Sequence, residues 1–101
     1  MSRVCPVAEL ADGTSQQASV EGHPILLCRS GEEIFAIDDT CPHEDVSLSL
    51  GAFSEHTVRC PLHGSRFCVR TGKVLDPPAD QDIATHRVEV IDDWVVVTLT
   101  R

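Results

Sequence analysis

The stretch CPHEDVSLSLGAFSEHTVRCPLHGSRF, residues 41–67, places a cysteine and a histidine together twice. His43 follows two positions after Cys41, and His63 follows three positions after Cys60. Thiolates and imidazoles are common metal ligands in proteins, and four of them complete one site. A single pair would carry little weight, because a cysteine near a histidine is common. Two pairs, each with a proline directly after its cysteine, indicate a metal centre.

Length and composition limit what the protein can be. A chain of 101 residues has room for one domain with one modest core, here residues 1–101, so we expect no second catalytic domain. No apolar run approaches the roughly 18–20 residues that a membrane span needs, and the N-terminal residues lack the apolar stretch of a secretory signal. We therefore expect a cytoplasmic protein without a membrane partner. Five cysteines, an odd number, fit a disulfide framework poorly and favour metal or redox roles.

The charge argues against nucleic acid as a partner. Sixteen acidic residues against eight basic ones give a formal net charge of -8, whereas a phosphate-binding surface needs clustered lysine and arginine. An acidic protein instead predicts transient partners with basic docking surfaces. Solubility alone is an alternative explanation of the same charge.

Short β-type runs separated by turn residues dominate the chain and predict an all-β fold. Asp92-Asp93 joins the last two runs, where a hairpin turn is expected. VAEL (7–10) predicts a single turn as readily as a helix. Both cysteine–histidine pairs then fall in loops between strands. The runs are QASVEG (17–22), PILLCR (24–29), EIFAID (33–38), TVRC (57–60), RFCV (66–69), ATHRVEVI (84–91) and WVVVTLT (94–100).

The motifs resemble those of a known family. Cys41-Pro42-His43 and Cys60-Pro61-Leu62-His63-Gly64, with Phe67, resemble the C-x-H and C-P-x-H-G-x-x-F boxes of Rieske [2Fe-2S] proteins. The resemblance continues through EIFAIDDTCPHED, TVRCPLHGSRFCVRTGKVLDPPA and HRVEVIDDWVVVTL, and so spans nearly the whole chain. It implies a Rieske iron–sulfur domain, in which antiparallel β-sheets arranged as a sandwich or barrel carry a cluster-binding subdomain of two loops, here about residues 41–46 and 60–67.

The resemblance also implies the cofactor and its ligands. One [2Fe-2S] cluster per chain would bind Cys41 and Cys60 on one iron and His43 and His63 on the other. Because two neutral imidazoles replace thiolates, the oxidised centre has no net charge and accepts an electron more readily than a four-cysteine cluster. The resemblance further implies a set of residues around the cluster: Gly64, Ser65, Phe67 and Pro78.

Departures from the respiratory members of the family indicate a different type. Val46 and Leu62 stand where those proteins have disulfide-forming cysteines, and Phe67 stands where they have a hydrogen-bonding tyrosine. Glu44 and Asp45 add negative charge beside the first loop. We therefore expect a potential toward the low end of the Rieske range of roughly -150 to +300 mV.

The resulting hypothesis is a soluble Rieske ferredoxin, an electron carrier and not an enzyme. It would take single electrons from a flavin-dependent reductase and deliver them to a non-haem iron, aromatic-ring-hydroxylating oxygenase. The alternatives are a protein like the small subunit of nitrite reductase, a Rieske electron donor in iron–sulfur cluster assembly, and a zinc-stabilised interaction module. An oxygenase would need two histidines and a carboxylate at a second iron, whereas His23, His56 and His86 are interpreted as far apart and structural.

The other cysteines and the leucines near the loops have competing interpretations. Cys28 and Cys68 are predicted to be buried, small apolar residues in strands, and the role of Cys5 is left open. Three leucines form either an apolar collar around the imidazoles or part of the core: Leu48, Leu50 and Leu62.

Overall fold

The computed structural model describes residues 1–42, 45–62, 64–77 and 79–100. Within them the chain forms nine β-strands and two single turns of 3-10 helix, Val7–Glu9 and Leu48–Leu50, so the all-β prediction is confirmed. No helix in this part of the chain is both long enough and apolar enough to cross a membrane. The strands are β1 (Ser2–Pro6), β2 (Ser15–Val20), β3 (His23–Ser30), β4 (Glu33–Asp38), β5 (Ala52–Ser54), β6 (Thr57–Arg59), β7 (Arg66–Cys68), β8 (Thr85–Ile91) and β9 (Trp94–Thr98).

Six strands form one antiparallel sheet that curls almost into a barrel. Their order is β1-β9-β8-β4-β3-β2, and the two edge strands, β1 and β2, contact each other. The expected hairpin joins β8 to β9, with Ile91 paired to Trp94. Asp92 and Asp93 have φ of 52° and 66°, as a two-residue hairpin turn with matching twist requires. The predicted barrel-like sheet is therefore present.

The sequence-based strands differ from the structure most at the N-terminus. β1 is missing from the prediction, because SRVCP has neither regular alternation nor an apolar run. The strand forms through its pairing with β9, with an irregularity between Arg3 and Cys5. The predicted run 17–22 is replaced by β2, which ends earlier because Glu21 and Gly22 have positive φ and turn the chain toward β3.

Strand β3 is buried on both faces, which explains its unbroken apolar run. Ile25 and Leu27 join a core formed with β1, β2, β4 and β9. Leu26 and Cys28 point the other way and join a second core with the smaller sheet and the loops. One strand thus connects the barrel-like sheet to the part of the molecule that contains the cysteine–histidine motifs.

The smaller sheet holds the second cysteine loop. β5, β6 and β7 pair in that order, and the loop that starts at Cys60 connects β6 to β7. Phe67 pairs with Val58, and both are fully buried. A tyrosine hydroxyl at position 67 would need a partner inside this core, so its apolar surroundings explain why phenylalanine suits the position.

Candidate metal centre

Each cysteine of the two motifs begins a loop that is closed in the same way. The N–H of Cys41 donates to the carbonyl of Val46 at 2.9 Å, and the N–H of Cys60 donates to the carbonyl of Ser65 at 2.8 Å. Each bond joins residues five positions apart. In the second loop Gly64 has φ of +75°, and its N–H donates to the carbonyl of Cys60 at 3.2 Å. The two loops therefore repeat one local arrangement in different parts of the chain.

A buried carboxylate, Asp39, secures the first loop. It accepts hydrogen bonds from the side chain of Gln17 at 2.6 Å, from the hydroxyl of Ser47, and from the N–H of Ser49 at 2.9 Å. Burying a carboxylate costs several kcal/mol unless such donors surround it. Sequence reasoning gave Asp39 no role. The available signal was an aspartate two residues before Cys41, with serines just beyond the loop, since these residue types commonly bond to nearby backbone.

Residues 74–77 are fastened to β7 by an ion pair and a backbone bond. The side chains of Arg66 and Asp76 are paired, and the N–H of Leu75 donates to the carbonyl of Arg66 at 2.7 Å. The hydrogen bond from Arg66 and its positive charge hold the pKa of the Asp76 carboxyl below its ordinary value. The pair is therefore formed at neutral pH and is lost in acid.

Ser65 links the second loop to the segment beyond the prolines. It is buried, and its hydroxyl oxygen accepts the N–H of Ala79 at 3.0 Å. A hydroxyl that accepts one bond still has its own hydrogen to donate. Ala79 belongs to the same buried cluster as Cys41 and Cys60, so this segment packs beside the cysteines. Pro78, also predicted to lie around the cluster, is outside the described residues.

The described residues fit an iron–sulfur centre. Cys41 and Cys60 are each 2% exposed and lie in one cluster of buried side chains. Two thiols at the bases of similar loops, shielded from water and next to a buried hydroxyl, suit a cluster bound through sulfur. His43 and His63, the predicted ligands of the second iron, lie outside the described residues, as does Glu44.

The remaining cysteines, Cys5, Cys28 and Cys68, are not among the predicted ligands of the iron–sulfur centre. Cys28 is fully buried, as predicted, and burial together with the charge of Asp39 raises its pKa to about 12, so it stays a neutral thiol. Cys68 is only half-buried, which corrects the prediction of full burial. Burial alone would raise the pKa of Cys68, but hydrogen bonds, chiefly with Thr71, bring it below the ordinary value. Cys5, whose role was left open, packs in the barrel core.

The leucines near the loops divide between the two interpretations. Leu48 is a core residue, whereas Leu50 is 74% exposed and Leu62 is 57% exposed. A surface groove lies beside the second loop, and Arg59 is the charged residue that lines it. The lining residues are Leu50, Gly51, Ala52, Arg59, Cys60, Pro61 and Gly64.

The structure corrects the interpretation of His23 and His86 as far apart. Nε2 of each ring lies 2.7 Å from the same oxygen, Oδ1 of Asp38. The cause is the sheet register, in which β4 lies between β3 and β8, with Ile25 opposite Asp38 and Ala36 opposite His86. Residues two positions apart on a strand share a face, so all three side chains project on the same side of the sheet.

Comparison with known proteins shows the family to which the chain is similar. The family model of the Rieske [2Fe-2S] domain matches residues 1–92. The ferredoxin component of biphenyl 2,3-dioxygenase from Rhodococcus jostii is 39% identical over 99 residues, covering 98% of this chain and 92% of that protein. The solved ferredoxin of carbazole 1,9a-dioxygenase from Nocardioides aromaticivorans superposes with a TM-score of 0.94 at 29% identity, covering 98% of this chain and 97% of that one. A chain in a solved complex of reduced oxygenase and oxidized ferredoxin of carbazole 1,9a-dioxygenase has a TM-score of 0.90 at 32% identity, covering 95% of this chain and 90% of that one.

The barrel-like sheet, the paired cysteine loops and these likenesses define a small iron–sulfur protein, and the chain belongs to the Rieske [2Fe-2S] domain family. Like its relatives it is a ferredoxin component of the ring-hydroxylating dioxygenase type, an electron carrier with one Rieske cluster and not a catalytic subunit. The predicted family, cofactor and carrier role are confirmed. The nitrite-reductase alternative is disfavoured.

Proposed function

We propose that Cys41 and Cys60 bind one iron of the cluster, that His43 and His63 bind the other, and that the chain passes single electrons from a flavin-dependent reductase to a terminal oxygenase. One observation carries this proposal: Cys41 and Cys60 are buried in one apolar cluster, and each begins a loop that is closed by a hydrogen bond from the cysteine N–H to the carbonyl five residues later. When bound, the cluster supplies a centre that takes up and releases one electron.

The chain's own residues keep the centre dry and its surroundings stiff. Asp39 fixes the first loop, and Ser65 joins the segment of Ala79 to the second by a hydrogen bond. Groups already held in place need little rearrangement when charge arrives. We further propose that the protein is cytoplasmic, because five cysteines, an odd number, fit the disulfide framework of a secreted domain poorly.

The docking surface is proposed to be the exposed rim of the two loops. Leu50 and Leu62 offer apolar contact, and Asp45 and Arg59 are exposed charges in the same region of the chain. Electron-transfer encounters use small interfaces and gain rate from complementary charge. A partner surface that is mainly basic, with an acidic group opposite Arg59, fits this rim. The carbazole system, in which a ferredoxin was solved with its oxygenase, supports an oxygenase as the partner.

The test is the rate of electron delivery. The reduced protein is mixed in a stopped-flow instrument with the terminal oxygenase of a biphenyl dioxygenase system, and Leu62→Ser is compared with Val90→Ser. Val90 is 54% exposed but lies on β8, outside the loops, and serves as the control. We expect Leu62→Ser to slow the transfer and Val90→Ser to leave it unchanged, with both Rieske spectra intact. Equal rates for the two variants would contradict docking at this rim.

A further inference from the structure

We propose that His23, Asp38 and His86 form a second metal site, separate from the Rieske centre, that takes a divalent transition cation such as Zn²⁺. Nε2 of His23 and Nε2 of His86 each lie 2.7 Å from Oδ1 of Asp38, and the three ligand atoms lie within 4.8 Å of one another. Two imidazole nitrogens and one carboxylate oxygen form a zinc donor set, which leaves the remaining position to water.

The backbone holds the three residues in place before any ion arrives. His23 begins β3, Asp38 ends β4 and His86 lies near the start of β8, on three neighbouring strands of one sheet. A tetrahedral zinc ion with ligands at about 2.0–2.1 Å keeps neighbouring ligand atoms roughly 3.3 Å apart. The two nitrogen–oxygen separations therefore lengthen by about 0.6 Å when the ion binds, and the two nitrogens, which lie within 4.8 Å of each other, adjust to the same spacing.

The three side chains of the site differ in how far they are buried. The side chain of His86 is 3% exposed, that of Asp38 28% and that of His23 42%. A cavity of about 140 Å³ opens beside them, large enough for an ion and several waters of about 30 Å³ each. With both imidazoles neutral, the carboxylate gives the site a net negative charge, which attracts a dication.

The competing structure is a purely hydrogen-bonded cluster. Nδ1 of His86 accepts the N–H of Thr100 at 3.1 Å, so Nε2 of the neutral ring has the hydrogen and donates it to Asp38. Metal binding through Nε2 requires that hydrogen on Nδ1, and the Thr100 amide must turn toward solvent. Thr100 is exposed and lies beyond β9, so the ion displaces one exposed backbone hydrogen bond and replaces the two hydrogen bonds between the imidazoles and Asp38.

The experiment is a calorimetric titration of the untagged, cluster-loaded protein with Zn²⁺. We expect one saturable equivalent. Because even outer partners of metal ligands change affinity by 10–100-fold, His23→Gln should weaken binding by at least about tenfold, and Asp38→Asn by a similar factor. His56→Gln is the control, because His56 is a partly exposed histidine near a different carboxylate, Glu33, and should bind Zn²⁺ like the parent protein. Iron content and the Rieske spectrum should remain the same in all variants.

Three results would overturn the second site. They are no saturable binding, equal affinity in His23→Gln and the parent protein, and loss of iron as Zn²⁺ is added, which would mean that zinc takes the ligands of the cluster instead. Because His86 is nearly buried, the test uses the more exposed ligands, whose replacement leaves the core intact.

Discussion

At the scale of single residues, Asp39 connects a strand to the loop of Cys41 without being a predicted ligand itself. Asp39→Asn keeps the size of the side chain but turns one acceptor into a donor. Whichever way the amide is turned, an NH₂ group faces donors, either those of Gln17 and Ser47 or the N–H of Ser49. A buried donor without an acceptor costs about 1–3 kcal/mol. We expect the free energy of unfolding to fall by that amount and iron to be lost more easily, as measured by chemical denaturation and iron analysis.

Asp45→Asn is the matched control, since Asp45 is an exposed acid within the same loop. It should leave both quantities unchanged. If Asp39→Asn were as stable as Asp45→Asn, the hydrogen bonds of Asp39 would not be what holds the loop.

Ser65 is expected to raise the potential of the cluster. Its oxygen accepts the N–H of Ala79, which leaves the hydroxyl hydrogen available for a sulfur atom of the bound cluster. Removing a hydrogen bond worth about 1 kcal/mol from the reduced state lowers a one-electron potential by roughly 40 mV. Ser65→Ala should therefore show a potential lower by about that amount in a spectroelectrochemical titration, while the exposed Ser54→Ala stays at the parent value. An unchanged potential in Ser65→Ala would show that this hydroxyl does not raise the potential of the cluster.

At the scale of elements, the first loop and the small sheet meet at Gly51. A Cβ at this position would lie 1.9 Å from the carbonyl oxygen of Arg59, an atom of the backbone that cannot swing away. Gly51 has φ of -92°, so close approach and not a left-handed conformation explains the glycine. Gly51→Ala should disturb the β5–β6 pairing. It should lower the melting temperature by more than the same substitution at a glycine that has a positive φ but no close neighbour.

Gly31→Ala provides that comparison, because Gly31 has φ of +63° but no atom within 4 Å of the position that an added Cβ would take. There the cost is conformational, about 1–2 kcal/mol. Thermal unfolding followed by circular dichroism would measure both, and an equal loss in the two variants would be evidence against the clash.

The ion pair between Arg66 and Asp76 gives the segment before the prolines a pH dependence. Its hydrogen bond lowers the pKa of Asp76 in the folded state. The pair therefore stabilises the fold fully above the carboxyl's unfolded pKa, and this contribution is lost as the pH falls through the lower, folded value. Asp76→Asn should unfold more easily than the parent protein at pH 7, and the difference should begin to shrink as the pH falls to about 4 and vanish only below the lower, folded pKa. Asp80→Asn, an exposed acid nearby, should show no such difference.

At the scale of the whole molecule, local signals predicted much of the fold and failed where distant segments meet. The unbroken run of β3 and the turn at Asp92-Asp93 are local signals, and each led to the structure observed. β1 was missing because only its pairing with β9 makes it a strand. The cluster of His23 and His86 was missing because it depends on strand order and register.

The same distinction applies to the metal centre. The ligand types and their spacing are properties of the sequence alone, so Cys41 and Cys60 could be singled out without a structure. Their burial in one cluster depends on β3 packing against the small sheet, and the support from Asp39 depends on a contact with Gln17, which is 22 residues away. Packing between segments therefore decides how the motif is supported.

The most direct test of the central claim is the iron and sulfide content of the purified protein together with the EPR spectrum after reduction with dithionite. Two irons, two sulfides and the low average g value of a cluster with mixed histidine and cysteine ligands are the predicted result. One bound zinc, with no reducible signal, would contradict the account and make the paired motifs a structural metal site.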